Sequence, residues 1–162
     1  MMRWPLMIAA PALLAAAPYT VRLKVSQCRA LPETTLTALG RDWSVYGNYV
    51  ERCAVPGPDA KIALFVDIIR IDHAYRDKFF GAFRNIPIPR PVIRDRDGRA
   101  IGTLPEQIPE EPPSKLRVTF ARWQGGMPQR IELYEAGESA LEPHPLPPLL
   151  WDGANRTYRE QR

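Results

Sequence analysis

The sequence has few of the residues on which enzymes most often depend. Only two histidines and two cysteines occur among its 162 residues, and no C-x-x-C pair is present. Zinc sites normally use several His or Cys ligands, and thiol oxidoreductases use closely paired cysteines. Glycine-rich phosphate loops and the G-x-S-x-G turn of many hydrolases are also missing. The sequence therefore predicts no metal site and no cofactor.

Lysine is also scarce, since four of the 22 basic residues are Lys and the rest are Arg. Arginine often recognises phosphate or carboxylate groups. Here, however, Ala and Pro are abundant as well, and the arginines are scattered along the chain. This composition is typical of a GC-rich genome, and no run of basic residues forms a patch. Nucleic-acid binding is not expected.

The first 17 residues have the layout of a secretory signal peptide. Arg3 precedes an apolar run from Leu6 to Ala17, and the alanines at 15–17 fit a cleavage site. Pro18 would hinder that cleavage, so an uncleaved anchor is the alternative, but prolines within the run disfavour a spanning helix. We expect export to the periplasm or exterior of a bacterial cell, with membrane contact only if this segment is retained.

The two cysteines, Cys28 and Cys53, are predicted to form a disulfide. In an oxidising compartment an isolated pair of cysteines most often becomes a structural bridge. In the chain-entropy model a bridge that closes a loop of this length stabilises the fold by about 3 kcal/mol.

Alternation of apolar and polar residues predicts a single β-rich domain over residues 18–142. It occurs in segments 21–25, 92–95, 99–103, 116–123 and 128–135. The most β-branched stretch, Lys61 to Asp72, is expected to form a long central strand antiparallel to the strand that ends at Cys53. A short helix over His73 to Arg84 would follow. The predicted fold class is mainly β (β-rich α+β), with antiparallel hairpins in a small sheet or sandwich and one short helix.

The pattern of two segments fits either a strand or a helix. Residues 36–53 could place apolar side chains on one helical face, but Gly47-Asn48 between aromatic and β-branched runs favours a hairpin. Residues 59–84 also fit a single helix, although the β-branched density favours a strand followed by a helix. The Pro-rich residues 143–162 are expected to form a strap with a polar tail. Its apolar side chains would dock on the domain: Leu146, Leu149, Leu150 and Trp151.

The stretch VIRDRDGRAIG, residues 92–102, resembles a calcium-binding loop at first sight. An EF-hand loop needs side chains with oxygen ligands at positions 1, 3, 5 and 12 and Gly at position 6. With Gly98 at position 6, Ile93 and Leu104 occupy positions 1 and 12, so two of those ligands are missing. Asp97-Gly98 between alternating residues instead predicts a type I′ hairpin turn, in which both central residues have positive φ.

A cluster of Trp, Tyr and Arg residues gives the candidate binding site. Arg122, Trp123, Arg130 and Tyr134 are close in sequence near one hairpin, and these residue types dominate interface energetics. The alternative is that Trp123 and Tyr134 pack in the core or against neighbouring strands.

Catalytic candidates are weaker. Asp72-His73 follows the central strand, and the alternative for it is a helix-capping Asp beside a surface His. His144 lies between prolines, where a base would be poorly positioned. Carboxylates could act as a pair only if the fold brought them together: Asp67, Asp72, Glu132 and Glu135.

Three functional hypotheses follow. The first is a small exported, non-enzymatic binding or assembly module that recognises a protein or cell-envelope partner. The second is a small exported hydrolase that uses carboxylates or Asp72-His73. The third is an inhibitor or immunity-type protein, which the same sequence features fit equally well.

Overall fold

The computed structural model describes residues 18–24, 28–32, 49–70, 90–105, 116–135 and 144–161, and within them it contains strands and no helix. The strands are β1 Val21–Arg22, β2 Arg29–Ala30, β3 Tyr49–Pro56, β4 Ile62–Arg70, β5 Val92–Arg94, β6 Ala100–Thr103, β7 Leu116–Gln124, β8 Met127–Glu135, β9 His144–Asp152 and β10 Thr157–Glu160. No helix long and apolar enough to cross a membrane occurs in these described ranges.

The strands form two antiparallel sheets of five strands each. Sheet A has the order β1-β7-β8-β9-β10, and sheet B has the order β2-β3-β4-β5-β6. Side chains from both sheets share one buried cluster, so the sheets pack as a sandwich. The predicted β-rich sandwich of antiparallel hairpins is therefore confirmed. The short helix predicted at 73–84 lies outside the described residues.

The β7–β8 hairpin supplies the centre of the core from sheet A. Val118 pairs with Leu133 and Phe120 with Ile131, and the exposed fraction of all four side chains is 2% or less. The alternation predicted for segments 116–123 and 128–135 is therefore confirmed, with these four side chains on the core face. The hairpin closes through Gly125-Gly126, whose φ angles are 58° and 77°. Both residues of this two-residue turn thus have the positive φ that a type I′ turn needs.

The β3–β4 hairpin supplies the core from sheet B, with Cys53, Val55, Leu64 and Val66 buried. The long antiparallel strand predicted from Lys61 is confirmed as β4, so the alternative of one helix over 59–84 is wrong for its first part. β3 continues past Cys53 to Pro56. The hairpin turn predicted at Gly47-Asn48 lies outside the described residues.

The β5–β6 hairpin was predicted correctly, but its turn type was not. Gly98 has φ 83°, whereas Asp97 does not have positive φ, so the turn is not type I′. Asp95 N donates to Arg99 O and Gly98 N donates to Asp95 O. These bonds define a three-residue loop, a type I turn followed by a left-handed glycine. The Asp95 carboxylate stabilises this longer loop by accepting from the backbone N–H groups of Asp97 and Arg99.

The C-terminal residues expected to form a strap provide two strands of sheet A. Leu146 and Leu149 pair with Leu133 and Ile131 of the neighbouring strand β8, and the register shifts between those two pairs. Pro147 and Pro148 occupy this irregularity. Because proline lacks an N–H group, a shift in the ladder is where a strand tolerates it.

The two sheets close on each other where β6 meets β10. Thr157 Oγ1 donates to Ile101 O at 2.9 Å. A Cβ atom added to Gly102 would lie 3.0 Å from Tyr158 Cβ, so glycine permits this close approach. The Tyr158 hydroxyl donates to Pro128 O at 2.7 Å, and it is buried. Its pKa is raised because burial penalises the ionised form.

Candidate functional site

The hairpin turns of the sandwich gather at one end, called here the turn end. A Cβ placed on Gly126 would lie 3.7 Å from Arg96 Nη2, so the β5–β6 and β7–β8 turns approach each other. The β9–β10 turn also reaches the β5–β6 turn, because both line an open cavity of about 450 Å³ with these residues: Asp95, Asp97, Gly98, Arg99 and Arg156. Loops on a rigid scaffold are where binding residues most often lie.

Tyr19 joins the two sheets at the turn end. Its ring packs edge-on against the Trp123 ring of sheet A, with centroids 5.6 Å apart. Its hydroxyl donates to Gly57 O, in the β3–β4 turn of sheet B, at 3.1 Å. Trp123 is partly buried against the core, and its Nε1 lies 3.3 Å from Phe120 O. Tyr19 is 41% exposed, so this aromatic pair contributes to both the core and the surface.

A second apolar side chain is exposed nearby. Ile62 is 43% exposed and pairs with Pro56, whose carbonyl oxygen lies 3.4 Å from Tyr19 Oη. We call Tyr19, Ile62, Arg122 and Trp123 the turn-end patch. Two aromatic residues, one aliphatic residue and one arginine make up a composition that is found at protein interfaces.

The backbone at the turn end is strained at three positions. Ala60, Arg122 and Arg156 have φ angles between 51° and 61°, in the left-handed region that residues with a Cβ rarely adopt. Each belongs to a turn or lies beside one. Such residues cost on the order of 1–3 kcal/mol and cluster at functional sites. Arg122 is both strained and exposed, which makes it the most informative residue of the patch.

The structure does not bring the four predicted binding residues together. Arg122 and Trp123 lie at the turn end, whereas Tyr134 pairs with Arg117, about 20 Å further along the hairpin. Arg130 lies between them, opposite Ala121. Trp123 also packs against the core, as the alternative interpretation predicted, but it is only partly buried.

Arg130 is bound to its neighbours on the outer face of sheet A. Its Nη1 donates to Gln161 Oε1 at 3.3 Å. Its buried Nε lies 3.4 Å from Glu132 Oε1, without the geometry of a hydrogen bond. This loose ion pair places Arg130 in a surface network of sheet A and away from the turn-end patch.

A separate charged cluster lies on the outer face of sheet B. Asp67 is 7% exposed, and Arg52 donates to both of its carboxylate oxygens, at 2.7 and 2.9 Å. Arg94 Nε donates to the same carboxylate at 2.7 Å, and Arg94 Nη1 donates to Gly98 O. Burial alone would raise the pKa of Asp67, but hydrogen bonds from the two arginines hold it below its usual value. Asp67 is therefore a fixed anion that positions two guanidinium groups.

Sequence reasoning identified Asp67 only as one of several candidate carboxylates and did not identify its two arginine partners. The available signal was an Asp within an apolar strand, since a buried carboxylate needs hydrogen-bond donors or a positively charged partner. Naming Arg52 and Arg94 requires the register of β3, β4 and β5, which the sequence pattern does not supply.

Of the carboxylate candidates, the two whose side chains the structure describes, Asp67 and Glu132, do not form a pair. Asp67 and Glu132 lie on opposite outer faces of the sandwich, and each has an arginine partner. Glu135 ends β8, and His144 is exposed at the start of β9. Asp72 and His73 lie outside the described residues. Within the described ranges no three His, Cys, Asp or Glu side chains are grouped as metal ligands.

Cys28 and Cys53 form the predicted disulfide. They lie opposite each other, one residue beyond the pair Arg29–Arg52 of strands β2 and β3. Cys53 is buried in the core, so the bridge ties the edge strand β2 to the centre of the sandwich. A structural disulfide indicates an oxidising, extracytoplasmic setting. Comparison of the chain with protein-family models, curated proteins and solved structures gives no match.

Proposed function

We propose that this chain is a small exported, non-enzymatic binding module that recognises a protein or cell-envelope partner through the turn-end patch. The observation that carries the proposal is the position of Tyr19, which packs on Trp123, bonds to Gly57 and still leaves 41% of its surface exposed. Because the ring and the hydroxyl of Tyr19 are both already held by contacts, the side chain loses little conformational freedom when a partner binds. A small loss of conformational freedom favours affinity.

The scaffold supports this role. Three of the four patch residues lie on strands, Ile62 on β4 and Arg122 and Trp123 on β7, and Tyr19 precedes β1. The buried core beneath these strands and the disulfide make the scaffold rigid. A rigid framework holds binding residues in place before the partner arrives. Arg122 is exposed, has positive φ and precedes Trp123 directly in β7, so it is a candidate contact next to the aromatic pair.

Export with removal of residues 1–17 is part of the proposal. Cleavage after Ala17 would leave Tyr19 as the second residue of the mature chain. The interaction of Tyr19 with Gly57 would then fix the new N-terminus beside the patch. Mass spectrometry of the exported protein tests this point, since a chain that begins at Met1 would contradict it.

The binding role is tested with two matched arginine variants. Arg122 and Arg117 are both exposed on β7, but only Arg122 lies at the turn end. The protein is immobilised, incubated with periplasmic extract, and the bound protein is identified and then measured with purified partner. We expect Arg122→Ala to weaken that complex by about tenfold, while Arg117→Ala leaves it within about twofold.

A second variant separates the patch from general effects on folding. Ile62→Ser removes an exposed apolar side chain and should weaken the same complex without changing the near-ultraviolet circular dichroism spectrum. Equal affinities for wild type, Arg122→Ala and Ile62→Ser would overturn the proposal. The absence of any saturable partner in the extract would overturn it as well.

A further inference from the structure

The outer face of sheet B carries more positive charge than the network within it neutralises. Arg29 lies directly opposite Arg52 on neighbouring strands, and Arg52 lies directly opposite Asp67. Arg94 reaches the same carboxylate from β5. Among the outward positions of β2 to β5 that the structure describes, three arginines therefore accompany one aspartate, which leaves a net charge of 3 − 1 = +2.

Such an arrangement costs stability unless an anion is present. Like charges directly opposite each other on antiparallel strands repel. Asp67 uses both oxygens on Arg52 and Arg94, so it does not neutralise Arg29 as well. Arg52 and Arg94 remain 31% and 24% exposed, and Arg29 is exposed. All three can therefore reach a ligand from solvent.

We propose that Arg29, Arg52 and Arg94, called here the arginine face, form a second binding surface that takes the carboxylate groups of an acidic peptide segment. The geometry already shows which anion suits these arginines, because Arg52 holds Asp67 side-on with two bonds. Planar bidentate pairing of this kind favours carboxylates.

The spacing of the three arginines indicates where the acidic residues of the bound peptide segment should lie. Arg29 is on β2 and Arg94 on β5, three strand spacings apart and displaced by two residues along the strands, or roughly 16 Å at ~4.8 Å per spacing and ~3.3 Å per residue. The Arg94 side chain shortens this separation, because its Nε reaches back to Asp67. In an extended peptide, residues i and i+4 point to one side and are separated by about 13 Å. A peptide with acidic residues at i, i+2 and i+4 that crosses the strands would thus place carboxylates over Arg29, Arg52 and Arg94.

The test uses a fluorescein-labelled peptide with three Glu at alternate positions, and an isomer with the three Glu adjacent. Binding to the purified protein is followed by fluorescence anisotropy at low salt. The alternating peptide should bind more tightly than its isomer, and added salt should weaken it. Arg29→Gln should reduce its affinity by about fivefold, whereas Arg117→Gln on the opposite sheet should leave it within about twofold.

Several outcomes would overturn the inference. The alternating peptide could fail to bind at low salt, or it could bind with the same affinity as its isomer. Arg29→Gln and Arg117→Gln could also reduce its affinity equally. Stronger competition by inorganic phosphate or by a single-stranded oligonucleotide would instead identify a phosphate surface. Arg94→Gln, with folding checked by circular dichroism, should also weaken binding. Arg122→Ala should not, so the failure of this surface and that of the turn-end patch are distinguishable.

Discussion

Arg52 lies directly opposite Asp67 on the neighbouring strand and donates to both of its carboxylate oxygens. The Arg52 guanidinium also lies over the Phe65 ring, 5.2 Å from its centroid. A shift of β3 by one residue would move Arg52 to the core face and leave Asp67 with one partner, because strand side chains alternate between faces. This pair therefore helps to fix the register of the central hairpin of sheet B.

Asp67→Asn is expected to destabilise the protein by about 2–3 kcal/mol, because it removes the carboxylate that two partly buried arginines share. Urea unfolding at neutral pH measures the loss. Asp97→Asn is the matched control, since it makes the same change at an exposed turn position and should have little effect. Equal midpoints for wild type and Asp67→Asn would show that the cluster contributes nothing to stability.

The contribution of Asp67 should depend on pH. Its pKa in the folded protein lies below the ordinary value of 3.8, so the folded state releases this proton more readily than the unfolded state. The resulting stability is complete above about pH 5 and is lost as the pH falls below 3.8 through the folded value. The difference in unfolding free energy between wild type and Asp67→Asn should therefore shrink from pH 6 to pH 3. A constant difference would contradict this sign.

The sequence predicted the parts of the fold that depend on local pattern. Alternation identified the β7–β8 hairpin and the residues on its buried face, because one face of each strand is buried. It identified β4 because β-branched residues are concentrated in a strand whose side chains are buried on both faces. The C-terminal strands were missed because prolines dominate β9, and the sequence does not show that a register shift accommodates them.

The candidate site was harder to predict, because it depends on contacts between distant segments. Tyr19 and Gly57 are separated by 38 residues, and the hydrogen bond between them has no sequence signal. Asp67 and Arg94 are 27 residues apart. Closeness in sequence placed Tyr134 in the same group as Trp123, but Trp123 pairs with Pro128 beside the turn, whereas Tyr134 pairs with Arg117 near the far end of the hairpin.

The disulfide is expected to stabilise the fold by about 3 kcal/mol, because it closes a loop across a sequence separation of 25 residues in the unfolded chain. Thermal or urea unfolding of wild type and of the double variant Cys28→Ala/Cys53→Ala measures this loss. Alkylation of the denatured, unreduced protein should label no thiol. Two labelled thiols in the exported protein would refute the bridge.

Tyr158 should make the protein sensitive to alkaline pH. Its buried hydroxyl donates to Pro128 O, so Tyr158→Phe is expected to cost about 1 kcal/mol at neutral pH. Because burial raises the pKa of Tyr158 above its ordinary value of 10.0, the unfolded chain ionises first, and wild-type stability should fall as the pH rises above 10. The Phe variant lacks this ionisation, so urea unfolding at pH 8, 10 and 11 should show the advantage of wild type decreasing. Parallel curves for the two proteins would mean that Tyr158 is accessible to solvent in the folded state.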